Sequence, residues 1–218
     1  MENKDYIKNI DGAQRRFAAM PVGIEVRADD NGKEIATING IAAKVNSRTD
    51  LNWFDEVIEA GAFDDCLTDD VRCLFNHDPN QVLARTTAGT LKLSINEDGH
   101  LAYSYDTPDV TYAKDLETNI RLGNVSQSSF AFTIKEHKWT EPDRENKNEN
   151  HLRTIIKVDR LFDVSPVTYP AYQDTEVGIS RSWSDHKAEL EARNEEDDKG
   201  TPPSVVEVQI QINKNRNK

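Results

Sequence analysis

Two long runs in the second half of the chain most constrain its fold: "VSQSSFAFTIKEHKW" (125–139) and "LRTIIKVDRLFDVSPVTYPAY" (152–172). Both runs are rich in the branched and aromatic residues that favour strands. The segment between them, "TEPDRENKNEN", contains almost no apolar residue. Because such a segment has nothing to bury, it predicts a solvated, mobile loop that joins two long strands of a hairpin.

Shorter motifs predict further elements before this hairpin. Asn31-Gly32 and Asp98-Gly99 each lie between alternating apolar runs, and such pairs are typical of tight hairpin turns. The segment "VRCLF" predicts a buried strand, and a short helix is expected after Gly61. Three β segments around one short helix are therefore expected in this part of the chain.

One longer helix is predicted within "TPDVTYAKDLETNIRLGN". Thr107-Pro108 supplies a cap and a first-turn proline, and Gly123 lies where a helix ends. The apolar stripe that recurs at helical spacing consists of Val110, Ala113, Leu116 and Ile120. This stripe is expected to pack against the strands.

Together these elements predict an α+β fold, a mostly antiparallel β-barrel with surrounding helices. Residues 1–13 are expected to be a flexible N-terminal segment, and residues 14–180 a single domain. The composition changes from about residue 181, where "SDHKAELEARNEEDDKG" could form a solvated helix that ends in an acidic run. Residues 181–218 are therefore predicted to be a charged, disordered C-terminal tail.

Charge and composition exclude several function classes. The net charge of −12 is unfavourable for neutralising phosphates, so no nucleic-acid partner is expected. No signal peptide or membrane-length apolar run is found, which predicts a soluble, intracellular protein without a membrane partner. Cys66 and Cys73 are too few for a disulfide scaffold or zinc cluster and are expected to be reduced, partly buried thiols. His77 and Asp78 lack a second histidine at metal-binding spacing, so no metal and no other cofactor is expected.

The alternation in "SQSSFAF" separates three neighbouring serines. A strand period of two places Ser126 and Ser128 on the same face as Phe130 and Phe132, and Ser129 on the opposite face. The phenylalanines are expected to face the core, so Ser129 is predicted to point away from it. Small residues beside Ser129 leave room for a substrate.

Three residues could form a hydrolytic site. The alternation in "RLFDVSPV" directs Asp163 away from its apolar neighbours. A serine hydroxyl needs a base to remove its proton, and a histidine base needs an acid to fix its tautomer. His77, at the end of a predicted strand, could supply the base for Ser129. From the residues alone, His77 could equally be a polar turn residue, and Ser126 or Ser128 could be the nucleophile.

Three blocks in this order, "NHDPNQVLARTTAGTLKL", "GNVSQSSFAF" and "LFDVSPVTYPAY", resemble the prohead (capsid maturation) serine proteases of tailed bacteriophages. The resemblance covers about residues 14–180 and implies a fold similar to that of the herpesvirus assembly protease. It also implies His77, Ser129 and Asp163 as the catalytic residues. The sequence departs from the family pattern at two positions: Ala131 stands where glycine is common, and Asp163 stands where glutamate is frequent. Because aspartate is shorter, either its backbone must approach His77 more closely or the acid orients the base less directly.

The resemblance implies a serine endopeptidase that cleaves the major capsid protein precursor or the scaffold, and also itself, inside the assembling prohead in the bacterial cytoplasm. It leaves homo-oligomer formation open. Arg85, in the first block, could support substrate or the oxyanion, or could form a surface salt bridge. The alternative function is a catalytically inactive scaffold-binding module for capsid assembly.

Overall fold

The computed structural model describes residues 10–18, 22–28, 31–32, 34–142, 149–169 and 173–200. The chain divides into two compact units, residues 1–179 and residues 180–218. The described helices are α1 (Thr111–Arg121) and α2 (Gln173–Gly200), and a 3-10 turn covers Asp64–Cys66. The described strands are β1 (Gln14–Ala18), β2 (Gly23–Ala28), β3 (Glu34–Ala43), β4 (Thr49–Asp50), β5 (Asp55–Ile58), β6 (Arg72–Leu74), β7 (Val82–Arg85), β8 (Leu91–Ile95), β9 (Leu101–Asp106), β10 (Gln127–Thr140) and β11 (Leu152–Val167).

The described strands form two sheets. The seven-stranded sheet has the order β1-β10-β11-β5-β4, and β6 joins it by pairing with β11 and β7. The four-stranded sheet has the order β2-β3-β9-β8. Strand β11 runs parallel to β5 and β6, whereas the other pairs are antiparallel.

The predicted α+β class is confirmed, but the predicted barrel is not. Over the described residues, the larger sheet ends at β1 and β4 and the smaller sheet ends at β2 and β8, so neither closes on itself. Alternation identifies the buried face of a strand but not its neighbour in the sheet, which is why closure could not be deduced. The likeness to the herpesvirus protease fold stays a prediction.

The predicted long hairpin is formed by β10 and β11. The two strands pair antiparallel over most of their lengths, with Ser129 opposite Ser165 and Ala131 opposite Asp163. The register shifts immediately afterwards, because Phe132 pairs with Leu161. A bulge therefore lies next to Asp163, as bulges often do beside functional sites. Most of the polar loop, residues 143–148, lies outside the described residues, so its predicted mobility is untested.

One hydrophobic core includes residues from both sheets. The Phe130 ring stacks on Phe132 and makes an edge contact with Phe63. Across the sheets, the hydroxyls of Tyr103 (β9) and Ser128 (β10) are 2.9 Å apart and hydrogen-bonded. The core face of β10 thus matches the predicted alternation.

Helix α1 confirms the predicted helix, but the predicted start at Thr107-Pro108 was wrong, because the helix covers Thr111–Arg121. Ala113, Leu116 and Ile120 are buried, whereas Val110 is exposed and serves as the N-cap. Including Val110 in the stripe was therefore wrong, because the helix begins one residue later. Gly123 has a φ of 77° and its amide donates to the carbonyl of Ile120, as expected after a helix end.

Two further predictions concern the cysteines and the tail. Cys66 and Cys73 are free and fully buried, and burial raises the pKa of Cys66 to about 12. Both thiols are therefore unreactive core groups at neutral pH.

Residues 181–200 of the predicted tail belong to helix α2, and residues 201–218 lie outside the described residues. Within the part of the chain that the structure describes, no helix is long and apolar enough to cross a membrane.

Candidate active site

His77 lies in a tight turn that follows β6. Asn76 and His77 have φ values of 53° and 58°, a left-handed conformation that non-glycine residues adopt rarely and at a cost in energy. The turn is held to the end of β11: the Asn76 amide donates to the Pro166 carbonyl, and the Thr168 amide donates to the Asn76 side chain at 2.8 Å. The fold therefore supports a strained backbone that directs His77 towards the large sheet.

Adjacent strands bring two further side chains to His77. The Ser129 hydroxyl, on β10, lies 2.7 Å from His77 Nε2. The Asp163 carboxylate, on β11, lies 2.5 Å from His77 Nδ1. The close approach of Asp163 shows how the shorter acid reaches the imidazole: the backbone comes near enough for direct contact.

The hydrogen-bond pattern follows from the charge of Asp163. Burial alone would raise the pKa of Asp163, but contacts with His77 and Ser165 outweigh burial and hold that pKa below its usual range. Since a carboxylate only accepts hydrogen bonds, His77 Nδ1 carries the proton and donates it to Asp163. When Nδ1 carries the only ring proton, Nε2 is an acceptor that faces the Ser129 hydroxyl.

The other two serines have different surroundings. Ser128 is fully buried on the core face of β10, where it contacts Tyr103. Ser126 is exposed and precedes β10, and its carbonyl accepts from the amide of Val22. The structure therefore brings His77 and Asp163 to Ser129, and it places Ser128 against the core.

Arg85 makes its described contacts on the surface. Its guanidinium donates two hydrogen bonds to the Asp70 carboxylate, at 2.7 and 2.6 Å. This pairing favours the surface salt bridge over a role in binding substrate. Asp78 accepts a hydrogen bond from the amide of Asn80 at 2.9 Å, an arrangement typical of a turn residue.

Ser165 was missed by the sequence analysis. Its hydroxyl donates to Asp163 Oδ1 at 2.7 Å, and it is fully buried. Within the described residues, Asp163 Oδ2 has no hydrogen-bond partner, so the contacts on Oδ1 determine the orientation of the carboxylate. A signal did exist, because Ser165 lies two residues after Asp163 and therefore shares its face of the strand.

A buried ion cluster next to Ser129 was also missed. Glu56 (β5) binds Arg16 (β1) through Nε at 2.6 Å and Arg153 (β11) through Nε at 2.9 Å. Burial opposes ionisation of Glu56, but the two guanidiniums lower its pKa to about 2. Local sequence pattern carried no signal for this cluster, because its members lie far apart in the chain.

Comparisons with known proteins identify relatives of the chain. A family model described as caudovirus prohead serine protease matches residues 23–189, a range that begins after β1 and includes His77, Ser129 and Asp163. Among solved structures, the capsid assembly protease of bacteriophage T4 aligns with a TM-score of 0.46 and 14% identity, over 72% of this chain and 99% of that chain. No curated protein matches the sequence significantly.

Proposed function

The chain belongs to the caudovirus prohead serine protease family, and we propose that Ser129, His77 and Asp163 are its catalytic triad. The observation that carries this proposal is the continuous chain of hydrogen bonds from Ser129 Oγ through the His77 ring to Asp163. The proposal is supported by the order of these contacts, because a nucleophile, a base and an orienting acid are linked in the same order in such triads on unrelated folds.

The proposed reaction is hydrolysis of a peptide bond in two stages. Ser129 Oγ attacks the scissile carbonyl carbon while His77 Nε2 takes the hydroxyl proton, and Asp163 stabilises the imidazolium that forms. His77 then gives the proton to the leaving amine, and an acyl ester remains on Ser129. Water attacks this ester with His77 again as the base, which releases the acid product and restores the hydroxyl.

Ser165 has a supporting role in this proposal. By donating to Asp163 Oδ1, it holds the carboxylate in the orientation that contacts His77. It does not touch the reacting atoms, so it is a positioning residue. Such hydrogen bonds fix the rotamers on which catalytic geometry depends.

The family suggests what the enzyme acts on. We assign as substrates the major capsid protein precursor and the scaffold, cleaved inside the assembling prohead in the bacterial cytoplasm, with self-cleavage within residues 181–218. Residues 14–180 would be the protease domain, and residues 1–13 and 181–218 its flanking segments.

Co-expression with the capsid protein precursor tests the proposed function. Ser129→Ala removes only a hydroxyl, so the variant should fold and leave the precursor uncut, whereas wild type should shorten it. Ser126→Ala is the matched control and should retain cleavage, because Ser126 lies outside the hydrogen-bonded chain. An uncut precursor with wild type would favour the inactive scaffold-binding module, and equal cleavage by Ser129→Ala would exclude Ser129 as the nucleophile.

A further inference from the structure

Strand β11, which carries Asp163, does not alternate regularly between its two faces. Leu161 and Val164 both belong to the hydrophobic core, although residues three positions apart point to opposite faces of a regular strand. One extra residue, Phe162, in the register between β10 and β11 accounts for this change of phase. In a regular strand Asp163 would share the face of Leu161. Because of the bulge, it contacts His77 instead.

A side chain from outside the strand contacts β11 just before this bulge. Among the described residues, β5 pairs with residues 152–155 of β11, and β6 pairs with residues 163–164. Between these two pairings, the Asp69 carboxylate accepts a hydrogen bond from the Leu161 amide at 2.9 Å. Asp69 belongs to the segment that joins β5 to β6, so its side chain takes the place of a strand partner at this point.

The backbone of Asp69 is itself held by three hydrogen bonds. Its amide donates to the Cys66 carbonyl at 3.1 Å, and its carbonyl accepts from the Val71 amide at 3.0 Å. The same carbonyl accepts from the Thr86 hydroxyl at 2.6 Å. The Asp69 side chain therefore extends from a fixed point, and its hydrogen bond fixes the Leu161 amide in turn.

We propose that Asp69 is a positioning residue for the orienting acid: it holds β11 at the bulge, so that the short Asp163 side chain reaches His77. This inference rests on the proposed function. Asp163 Oδ1 lies 2.5 Å from His77 Nδ1, and an aspartate with a single methylene group makes this contact only if its backbone is close. Ser165 orients the carboxylate, whereas Asp69 fixes the backbone that carries it.

Steady-state kinetics of Asp69 variants on a peptide from the capsid precursor test the proposal. Asp69→Ala should lower kcat by about tenfold to hundredfold and leave KM nearly unchanged, because misplacing catalytic groups by about 1 Å has effects of this size. Asp69→Asn keeps an oxygen that can accept from the Leu161 amide and should retain most of the activity. Asp70→Ala is the matched control, since Asp70 pairs with Arg85 at the surface. Asp69→Ala with no greater loss of kcat than Asp69→Asn or Asp70→Ala would contradict the role of this hydrogen bond.

The length of the acid provides a second test, which a loss of stability alone would not mimic. With Asp69 in place, the backbone already brings the acid to His77, so Asp163→Glu, which adds one methylene group, should lower kcat. Without Asp69 the backbone can retreat, and the longer acid should recover part of the lost activity. We expect Asp69→Ala/Asp163→Glu to exceed Asp69→Ala in kcat by about threefold or more, as coupled residues allow. A double variant no faster than Asp69→Ala would overturn the proposal.

A proton NMR signal reports on the same contact without any substrate. The Nδ1 proton that His77 donates to Asp163 lies in a short hydrogen bond and should give a far-downfield signal in wild type. This signal should move upfield in Asp69→Ala, because the bond lengthens, and stay in place in Asp70→Ala. An unchanged signal in Asp69→Ala would overturn the positioning role and leave the proposed function standing. Wild type that shows the signal but leaves the capsid precursor uncut would instead overturn the proposed function.

Discussion

Ser129 and Ser165 lie opposite each other on neighbouring strands. Ser129 contacts Nε2 of His77, whereas Ser165 contacts the Asp163 oxygen that meets Nδ1 of His77. In the proposed mechanism, Ser129 meets the ring nitrogen that would accept its proton. Ser165 would hold the carboxylate that keeps the other ring nitrogen protonated. The two serines would thus have different roles because their strands present them to different atoms.

Replacing Ser165 with Ala should lower kcat about tenfold and leave KM nearly unchanged, since loss of one hydrogen bond to a charged group costs about 1.5 kcal/mol. The substitution leaves the substrate contacts intact and affects only the orientation of Asp163. Steady-state kinetics on a peptide from the capsid precursor measures both constants.

Ser128→Ala provides the control for Ser165→Ala, because it removes a buried serine hydroxyl on the core side of β10. This variant should lose stability without a specific loss of kcat. A change in KM alone for Ser165→Ala, or equal kcat losses in the two variants, would argue against a positioning role.

At the scale of elements, the smaller sheet depends on a close approach between two neighbouring strands. Gly40 (β3) pairs with Tyr103 (β9), and a Cβ built on Gly40 would lie 2.4 Å from the tyrosine ring. The ring cannot move freely, because it is buried and its hydroxyl is bonded to Ser128 on the other sheet. The absence of a side chain at Gly40 thus allows Tyr103 to connect the two sheets.

Gly40→Ala should therefore destabilise the protein by about 2 kcal/mol, as expected for overpacking in a well-packed core. Displacement of Tyr103 should also disturb the core face of β10 and lower activity indirectly. Urea unfolding gives the stability difference. Gly23→Ala is the matched control on the neighbouring strand β2, because a Cβ there meets only a backbone oxygen at 4.0 Å; equal effects of the two changes would disprove the packing argument.

The ion cluster that joins β1, β5 and β11 should make stability depend on pH. Since the pKa of Glu56 falls from 4.5 to about 2 on folding, its ionised form contributes on the order of 3 kcal/mol of stability. A lowered pKa means that this contribution is complete above about pH 4.5 and is lost as the pH falls through 2. Glu56→Gln should remove this part of the acid dependence and also destabilise the protein at neutral pH, because two buried guanidiniums lose their counter-ion.

Urea unfolding between pH 7 and pH 3 measures the effect of Glu56→Gln. The control is Glu59→Gln, since Glu59 pairs with Lys138 at the surface and should matter little. Asp163 should leave a residual acid dependence in both variants, because its pKa is also lowered. Parallel pH profiles for wild type and Glu56→Gln would show that the cluster is not the source.

At the scale of the whole molecule, neighbouring residues predicted local features of the fold, but they did not predict which distant segments pair. The period of two in "SQSSFAF" was enough to separate Ser129 from Ser128, and local turn chemistry located the β2–β3 and β8–β9 hairpins. The partners of a strand were not predictable in this way. The contact between Arg16 and Ser129 spans 113 positions, and the parallel pairing of β11 with β5 also joins distant segments.

The same limit explains why the predicted barrel was not confirmed and why β1 was missed as a neighbour of the site. Pairing between distant segments is selected by the packing of the complete core, not by the pattern within either segment. His77 could be proposed as the base for Ser129 because the resemblance to a family linked these two distant residues. By contrast, no sequence pattern predicted the left-handed backbone of His77. Its turn is held by a distant contact, the hydrogen bond from the Thr168 amide to the Asn76 side chain.

The proposed function includes self-cleavage near the C-terminal end of the given sequence. A protease accepts its substrate in an extended form, and a helix must unwind before it can be cut. Helix α2 includes residues as far as Gly200, and the sequence places Pro202 and Pro203 soon after, where a helix is not expected to continue. We therefore expect wild type to cut itself within residues 201–218 and to leave α2 intact. Ser129→Ala should keep its full mass under the same conditions.

Intact mass followed over time in purified wild type and in Ser129→Ala measures this self-cleavage. Mixing Ser129→Ala with a small amount of wild type separates the two routes: trimming of the inactive copy shows cleavage between molecules, whereas trimming of wild type alone shows cleavage within one molecule. Cleavage between molecules is the expected result, because the proposed substrate, the capsid precursor, is itself a separate molecule that the active site must accept. Equal trimming of Ser129→Ala without added wild type would assign the cut to a host protease, and an active wild type that keeps residues 201–218 would exclude self-cleavage there.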